Sequence, residues 1–481
     1  MNSTKKSIGN FRWTICSLLF FATTINYLDR QVLSLTWSDF IAPEFHWTNN
    51  DYGNITALFS IFYAVSLLFA GRLVDLLDTK KGFLWAIGVW SVGACLHAFA
   101  GIATSGILTG NWFVGFEGAK NTIKAVNDTG MVISTSVTLF IFARFVLAVG
   151  EAGNFPAAIK TTAEYFPKKD RAFSTSIFNS GATVGALAAP ITIPFIAKAF
   201  GWEMAFIIIG ALGFVWMGFW VLLYDKPENH PMVSPEELEY IQQDVIADSK
   251  LVGYVAETAT KVSLKDCFRY KQTWAFAFGK FMTDGVWWFF LFWTPAYLSS
   301  VYDMDATEAA LPLFVLYMIT LLSIIGGWLP TYFVEKKGMN PYDGRMKAML
   351  IFAFFPLLAL VAQPLGHYTY WLPVIIIGIA GAAHQSWSAN IFTTVGDMFP
   401  KKAIATVTGI GGLAGGLGST LINKGSGVLF DYTKETNMAF MGFEGIEAGY
   451  FIIFSICAVC YLIGWSVMKT LVPKYSPITD L

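Results

Sequence analysis

Long apolar runs constrain this 481-residue chain more than any other feature. About twelve of them approach the roughly 20 residues that a helix needs to cross the hydrocarbon of a bilayer. The first lies near 13–35 and the last near 447–470. Lipid offers no partner for a backbone N–H or C=O, so runs of this length are read as spanning helices. Charge is correspondingly scarce: 14% of residues are charged, against about 25% in ordinary globular chains. The expected fold class is therefore an all-α membrane protein with twelve transmembrane helices. A net charge of −1 leaves no electrostatic basis for binding nucleic acid. Lys5, Lys6 and Arg12 precede the first run. That run is too long for a signal-peptide core and lacks a small-residue cleavage site, so it is expected to remain as the first helix.

The polar punctuation between the runs is doubled. Gly71 is followed by Lys80, Lys81 and Gly82, and Gly327 by Lys336, Lys337 and Gly338 at the same spacing. Glu164-Tyr165-Phe166-Pro167-Lys168-Lys169 likewise reappears as Asp397-Met398-Phe399-Pro400-Lys401-Lys402. Two parallel halves that meet the same water boundary in the same order account for such repeats. The spans then divide into two pseudo-symmetric six-helix bundles over 1–224 and 273–481, joined by a polar linker over 225–272. Within the linker, Ser234-Pro235-Glu236-Glu237 carries the N-cap, N1 and N3 residues of a helix start, here of a short amphipathic helix. The glycine phrases lie 256 positions apart and the proline phrases 233, so the first half is 23 residues longer between them. Segment 104–133 is the excess, read as an extracytoplasmic insertion that is either a surface ornament or a lid. Lys and Arg gather in alternate connections, while 36–51 and 301–308 carry acids and no Lys or Arg. That bias puts both termini and the linker in the cytoplasm.

Ionisable residues inside spans are costly and are functional candidates for that reason. Asp29 and Arg30 are adjacent in the first span, so they point about 100° apart and each needs its own partner. Arg144 and Glu151 in the fourth span are seven apart, two turns along one face. Two guanidinium groups with two carboxyls suit a carboxylate-binding, proton-coupled site: Arg matches a carboxylate with two prongs, and a carboxyl group away from water can exchange a proton near neutral pH. The structural alternative is a pair of ion pairs holding spans 1 and 4 together. Asp75, in the Gly71–Lys81 phrase, is a candidate gating latch against cations across the half interface. In the second half, Lys280, Asp284, Trp287 and Trp288 occupy span 7, and His384, Gln385, Ser388 and Asn390 occupy span 10. Hydroxyls, amides and indoles are the equipment for holding a polyol, through hydrogen bonds and an aromatic face. For each of them interhelical packing is the alternative. No phosphate-binding glycine loop, His-Glu-x-x-His or Cys/His ligand cluster occurs, so no metal, no cofactor and no enzymatic activity are expected.

At these residues the chain resembles the major facilitator superfamily, with Gly71, Asp75, Lys80 and Lys81 in its loop 2–3 motif. Within it, Tyr27-Leu28-Asp29-Arg30, Arg144 to Ala152 and the Glu164–Lys169 phrase resemble the anion:cation symporter family. The stretches 283–295 and 383–400 resemble its hexuronate transporters. The resemblance implies proton-coupled symport of a sugar acid, such as glucuronate or galacturonate, by alternating access across a bacterial inner membrane. It implies that Arg30 grips the substrate carboxylate, that Asp29 and Glu151 are the protonation sites, and that Tyr63, Gln385, Ser388 and Asn390 contact the sugar. Arg144 and Trp288 complete the expected substrate site, and the protein is expected to act as a monomer. Another organic anion, such as an aldonate, and a polytopic sensor without transport are the alternatives.

Overall fold

Leucine, isoleucine, valine, phenylalanine and alanine, with few charges between them, give the chain its long helices. The computed structural model describes residues 9–243, 263–479 and 481. Twelve helical rods fill it: α1 (Phe11–Thr36), α2 (Asn49–Leu77), α3 (Thr79–Ala98), α4 (Thr129–Tyr165), α5 (Lys168–Phe200), α6 (Trp202–Leu223), α7 (Lys271–Tyr302), α8 (Ala310–Lys337), α9 (Pro341–Gly366), α10 (Trp371–Met398), α11 (Lys401–Glu435) and α12 (Gly445–Leu471). Side-chain caps start several of them. Thr48 and Asp51 form a reciprocal capping box on α2, Asp128 caps α4, and Asn340 caps α9 just ahead of Pro341.

Eight of the rods are long and apolar enough to cross a membrane, or nine when α3 is joined to its 55° bent continuation Ala100–Thr109. The other three, α1, α7 and α11, are 26, 32 and 35 residues long and so also long enough to cross. Each turns polar residues inward: Asp29 and Arg30 on α1, Lys280 on α7, and Ser419, Asn423 and Ser426 on α11 are buried. Helices α1–α6 pack against one another, as do α7–α12, and the two bundles meet chiefly along α2–α11 and α5–α8.

The linker starts as its sequence suggests. The Ser234 hydroxyl accepts from the Glu237 N–H and opens the helix Pro235–Ile241. Glu237 in turn caps α1: its carboxylate accepts from the Phe11 and Arg12 N–H groups at 3.2 and 3.0 Å and pairs with the Arg12 guanidinium at 3.1 Å. A carboxylate at a helix N-terminus satisfies free N–H groups and meets the positive end of the helix dipole. The remainder of the linker, 244–262, lies outside the described residues.

Segment 104–133, the insertion, is largely helical. It begins inside Ala100–Thr109, contains the helix Gly115–Lys124, and ends inside α4. Lys120 anchors it to the N-terminal bundle, with Nζ 3.1 Å from Glu203 Oε1 and 4.0 Å from Glu44 Oε2. Trp202 Nε1 donates to the same Glu44 oxygen at 2.9 Å. Burial holds the Glu44 carboxyl up to about 7, against the hydrogen bond from Trp202 and the charges of Lys120 and Lys124, with Glu203 adding to the rise.

At this same end of the molecule, away from the termini, each bundle caps a helix or turn of the other. Asp431 of α11 accepts from the Asn49 and Asn50 N–H groups at 2.9 and 2.6 Å and from the Asn49 side chain at 2.9 Å, closing the start of α2. Asp39, just after α1, accepts from the Ala306 N–H at 2.5 Å and from the Ser299 hydroxyl at 3.2 Å. Lys424 bonds Asn50 and Asn54, and Lys198 pairs with Asp305 at 3.0 Å. The two bundles are therefore drawn together at the insertion-bearing end.

Asp431→Ala removes three of these hydrogen bonds. With a helix cap worth about 1 kcal/mol and a bond to a charged group about 1.5–3 kcal/mol, the closed end should be destabilised enough to raise the open population about five- to thirty-fold. A cysteine introduced between the halves at Ser60, in a background free of other cysteines, should then be labelled faster from the insertion-bearing side. Unchanged labelling would show that these caps do not hold the end shut.

The Glu44 cluster generates a pH-dependent stability. The folded chain keeps the Glu44 proton up to about 7, whereas the unfolded chain releases it near 4.5. Proton binding by the folded form is thus greater in that window, and stability falls as pH rises through it. Lys120→Met removes the cation that contacts both the Glu44 and Glu203 carboxylates, at a cost of about 1–3 kcal/mol. Thermal unfolding should show a larger loss at pH 8 than at pH 5.5. A loss of equal size at both pH values would rule out Glu44 as the group that Lys120 compensates.

Candidate functional site

Helical spacing builds one polar pocket between the bundles. Tyr27 and Arg30 lie three apart on α1, and Ser60, Tyr63, Ala64 and Leu67 recur at helical spacing on α2. Lys280, Asp284, Trp287 and Trp288 do the same on α7, and His384, Gln385, Ser388 and Phe392 on α10. With Gly412 and Gly416 of α11 they enclose a cavity of about 230 Å³. A second cavity, of about 610 Å³, lies between α5, α8 and α10 and shares Tyr27, Trp287, Gln385, Ser388 and Phe392 with the first. Apolar and aromatic walls with a few convergent polar groups are the usual make-up of a small-molecule site.

Arg30 sits at the centre of the charge arrangement. Its Nη2 and Nε both donate to Glu151 Oε2, at 2.7 and 3.1 Å, and both side chains are buried. Three aromatic rings surround the guanidinium: Tyr63 at 4.7 Å, Tyr27 at 5.1 Å and Trp288 at 5.2 Å from the ring centroids. Cation–π contacts of this kind stabilise a cation removed from water. Glu151 reaches Arg30 because α4 lies hard against α3 at Gly150. A Cβ there would stand 2.3 Å from the Trp90 nitrogen, so only glycine allows the approach.

Arg144 and Asp29 form the layer behind this pair. Arg144 is 2% exposed, stacks on Phe59 at 5.1 Å, and has no hydrogen-bond partner at Nε or Nη1. Asp29, also 2% exposed, has no protein partner at either oxygen, although Glu151 and Arg144 are within electrostatic reach. Glu151 Oε1 is unpartnered as well. Buried polar atoms normally find partners, so four ionisable groups with this much unused hydrogen-bonding capacity form an unsaturated cluster.

Most of the residues singled out from the sequence converge here. Arg30, Tyr63, Trp288, Gln385 and Ser388 line the cavity, and Asp29, Arg144 and Glu151 are buried beside it. The structure joins Arg30 to Glu151 and gives Asp29 and Arg144 no direct ion pair among the described residues. Asn390 lies elsewhere: its amide donates to the Gly326 and Ser386 carbonyls at 3.0 and 2.8 Å, tying α10 to α8. The side chain of Asp75 lies outside the described residues. Tyr27 and Ser60 were missed, although each stands three residues before a singled-out cavity residue on the same helix. Lys280, Asp284 and His384 drew attention as charges or rings within spans but not as site residues, and all three line the cavity.

Comparison with known proteins places the chain. A sequence model described as Major Facilitator Superfamily matches residues 19–422. A hexuronate transporter of Escherichia coli K12 is 28% identical over 470 residues, spanning 96% of this chain and 95% of that one. A protein of the same organism named as a probable galactarate/D-glucarate transporter is 25% identical over 466 residues, 95% of each chain. A galacturonate transporter of Dickeya chrysanthemi is 27% identical over 334 residues, 69% of this chain and 85% of that one. Among solved structures, an inward-facing bacterial homologue of the human lysosomal transporter Spinster aligns with a TM-score of 0.68 at 17% identity, over 98% of this chain and all of the other. A D-xylose–proton symporter aligns with a TM-score of 0.62 at 15% identity, over 98% and 99%. The twelve helices in two bundles and the family match agree: this chain is a multi-pass membrane protein that belongs to the Major Facilitator Superfamily.

Proposed function

We propose that the protein carries a sugar acid, a hexuronate such as glucuronate or galacturonate, into the cell together with a proton. The observation that carries this reading is the position of Arg30: a guanidinium on the wall of the cavity, one edge on Glu151 and the rest among aromatic rings. A substrate carboxylate takes the place of Glu151 on that guanidinium once Glu151 is protonated. The charge balance is favourable. Asp29 and Glu151 against Arg30 and Arg144 sum to zero, and one proton with one monoanion keeps the buried site neutral. Adding the anion without the proton leaves a net charge in a low-dielectric interior, which is costly. Loading of substrate and proton are linked by that cost, and the loaded and the empty site are the states in which the bundles rock. Asp29, within reach of both Glu151 and Arg144, is the second acid on the proton's route.

The relatives named for hexuronates and galacturonate support the substrate class, and the one named for galactarate and D-glucarate favours a dicarboxylic sugar acid as the second reading. The clustering of Lys and Arg in the connections at the termini-bearing end supports a cytoplasmic location for both termini in a bacterial inner membrane. The protein acts as a monomer on this reading, because all the groups used come from one chain. Asp75 stands as a gating residue near the cytoplasmic end of α2.

Reconstituted into liposomes, the protein should accumulate radiolabelled glucuronate when an inward proton gradient is imposed, and lose the accumulation when the gradient is collapsed. Absence of gradient-driven uptake of any sugar acid would reject the reading. Arg30→Ala should abolish substrate binding. Glu151→Gln, which is fixed in a protonated-like form, should keep substrate exchange but lose accumulation. Normal accumulation by Glu151→Gln would remove that residue from coupling.

A further inference from the structure

Opposite Arg30, the same cavity holds a second pair of charges. Lys280 and Asp284 stand one turn apart on α7, with Nζ 2.7 Å from Oδ2. Lys280 is 5% exposed, and its ammonium lies 4.2 Å from the Phe392 ring centroid. Both residues line the cavity. The carboxylate is held in place from behind by α11: a Cβ on Gly415 would fall 2.2 Å from Asp284 Oδ2, so the glycine makes room for it.

A charge pair buried only to join neighbouring turns of one helix stabilises little, because desolvation offsets the attraction. This pair instead retains hydrogen-bonding capacity toward the cavity. An ammonium has three N–H donors and a carboxylate about four acceptor sites, and the Lys280–Asp284 contact uses one of each. The indole of Trp287, three residues beyond Asp284, stacks flat on His384 at 5.3 Å beside them and gives that side of the cavity an aromatic wall.

We propose that Lys280 and Asp284 recognise the hydroxyl-bearing end of the substrate, and so set its class as a sugar monoacid rather than a diacid. This rests on the sugar-acid reading of the same cavity. Asp284 accepts hydrogen bonds from two neighbouring hydroxyls, and Lys280 donates to one of their oxygens. A second carboxylate there would have to displace Asp284 from Lys280 or bring a second proton, since the pair is already neutral. Vicinal hydroxyls satisfy both groups without disturbing that balance.

Binding to the purified protein tests this with four ligands: glucuronate, gluconate, glucarate and the short hydroxy acid glycerate. The wild type should bind glucuronate and gluconate and bind glucarate at least ten-fold more weakly. Asp284→Asn should weaken glucuronate binding about ten-fold or more, as loss of a hydrogen bond to a charged group does, and leave the weaker glycerate binding unchanged. Gly415→Ala, which displaces the carboxylate without removing its charge, should do the same and covers the case in which Asp284→Asn fails to fold. Unchanged glucuronate binding in a folded variant overturns the hydroxyl role, as does a wild type that prefers glucarate and loses only that preference in Lys280→Met. A variant that binds normally but shifts the pH dependence of uptake makes Asp284 a coupling acid and also overturns it. A wild type that binds no sugar acid rejects the underlying transport reading instead, and this proposal with it.

Discussion

The Arg30–Glu151 pair is the constraint on which the interior of this protein depends. Two opposite charges have been taken out of water between α1 and α4, and removing either partner from such a pair typically costs about 3–5 kcal/mol. That cost holds the two helices at one register. It also explains the company the pair keeps: three aromatic rings around the guanidinium, and a glycine at position 150 that lets α4 come close enough for Glu151 to reach. A purely structural ion pair would be sealed on all sides. This one has an open face on a cavity, and behind it lie a carboxyl and a guanidinium with hydrogen-bonding capacity to spare.

The division of labour between the bundles follows from the same economy of charge. The first bundle holds Asp29, Arg30, Arg144 and Glu151, while the second contributes two indoles, an amide, a hydroxyl and the self-neutralising Lys280–Asp284 pair. Helices that meet the other bundle carry much of this polarity, as α1 does with Arg30 and α7 with Lys280 and Asp284 at the cavity between the halves. The bundles are joined at the insertion-bearing end by Asp39 and Asp431, each accepting backbone N–H groups of the opposite half. Contacts of that kind, a few hydrogen bonds at the rim, are strong enough to favour one arrangement and weak enough to exchange for another.

Much of this was legible in the sequence. The lengths and order of the apolar runs, the doubled loop phrases, the Ser234–Glu237 helix start and the four charges of the first bundle are all local patterns, and local patterns survive without tertiary information. The pairing of those charges was not legible. Asp29 and Arg30 are neighbours, and Arg144 and Glu151 share a face, so either arginine could take either acid until the packing at Gly150 sets the height of α4. Helical spacing held more than was taken from it on α10. Gln385, Ser388 and Phe392 fall on one face, toward the cavity, whereas Ser386 and Asn390 fall on another and bond carbonyls of α8. Segment 104–133 stood out in the sequence only as an excess over the second half, and its anchoring was not legible, because the Lys120 contact with the buried Glu203 and Glu44 joins it to residues far away in sequence.

The central claim is that binding of an anionic sugar acid and protonation of the Arg30–Glu151 site are one linked event. Proton uptake on ligand binding measures that linkage directly. Purified protein in a weakly buffered solution at pH 7, mixed with glucuronate and followed with a pH indicator, should take up about one proton for each molecule bound, as the charge balance of a low-dielectric site requires, and Glu151→Gln should take up fewer. Tight binding of glucuronate with no proton uptake by the wild-type protein would contradict the account.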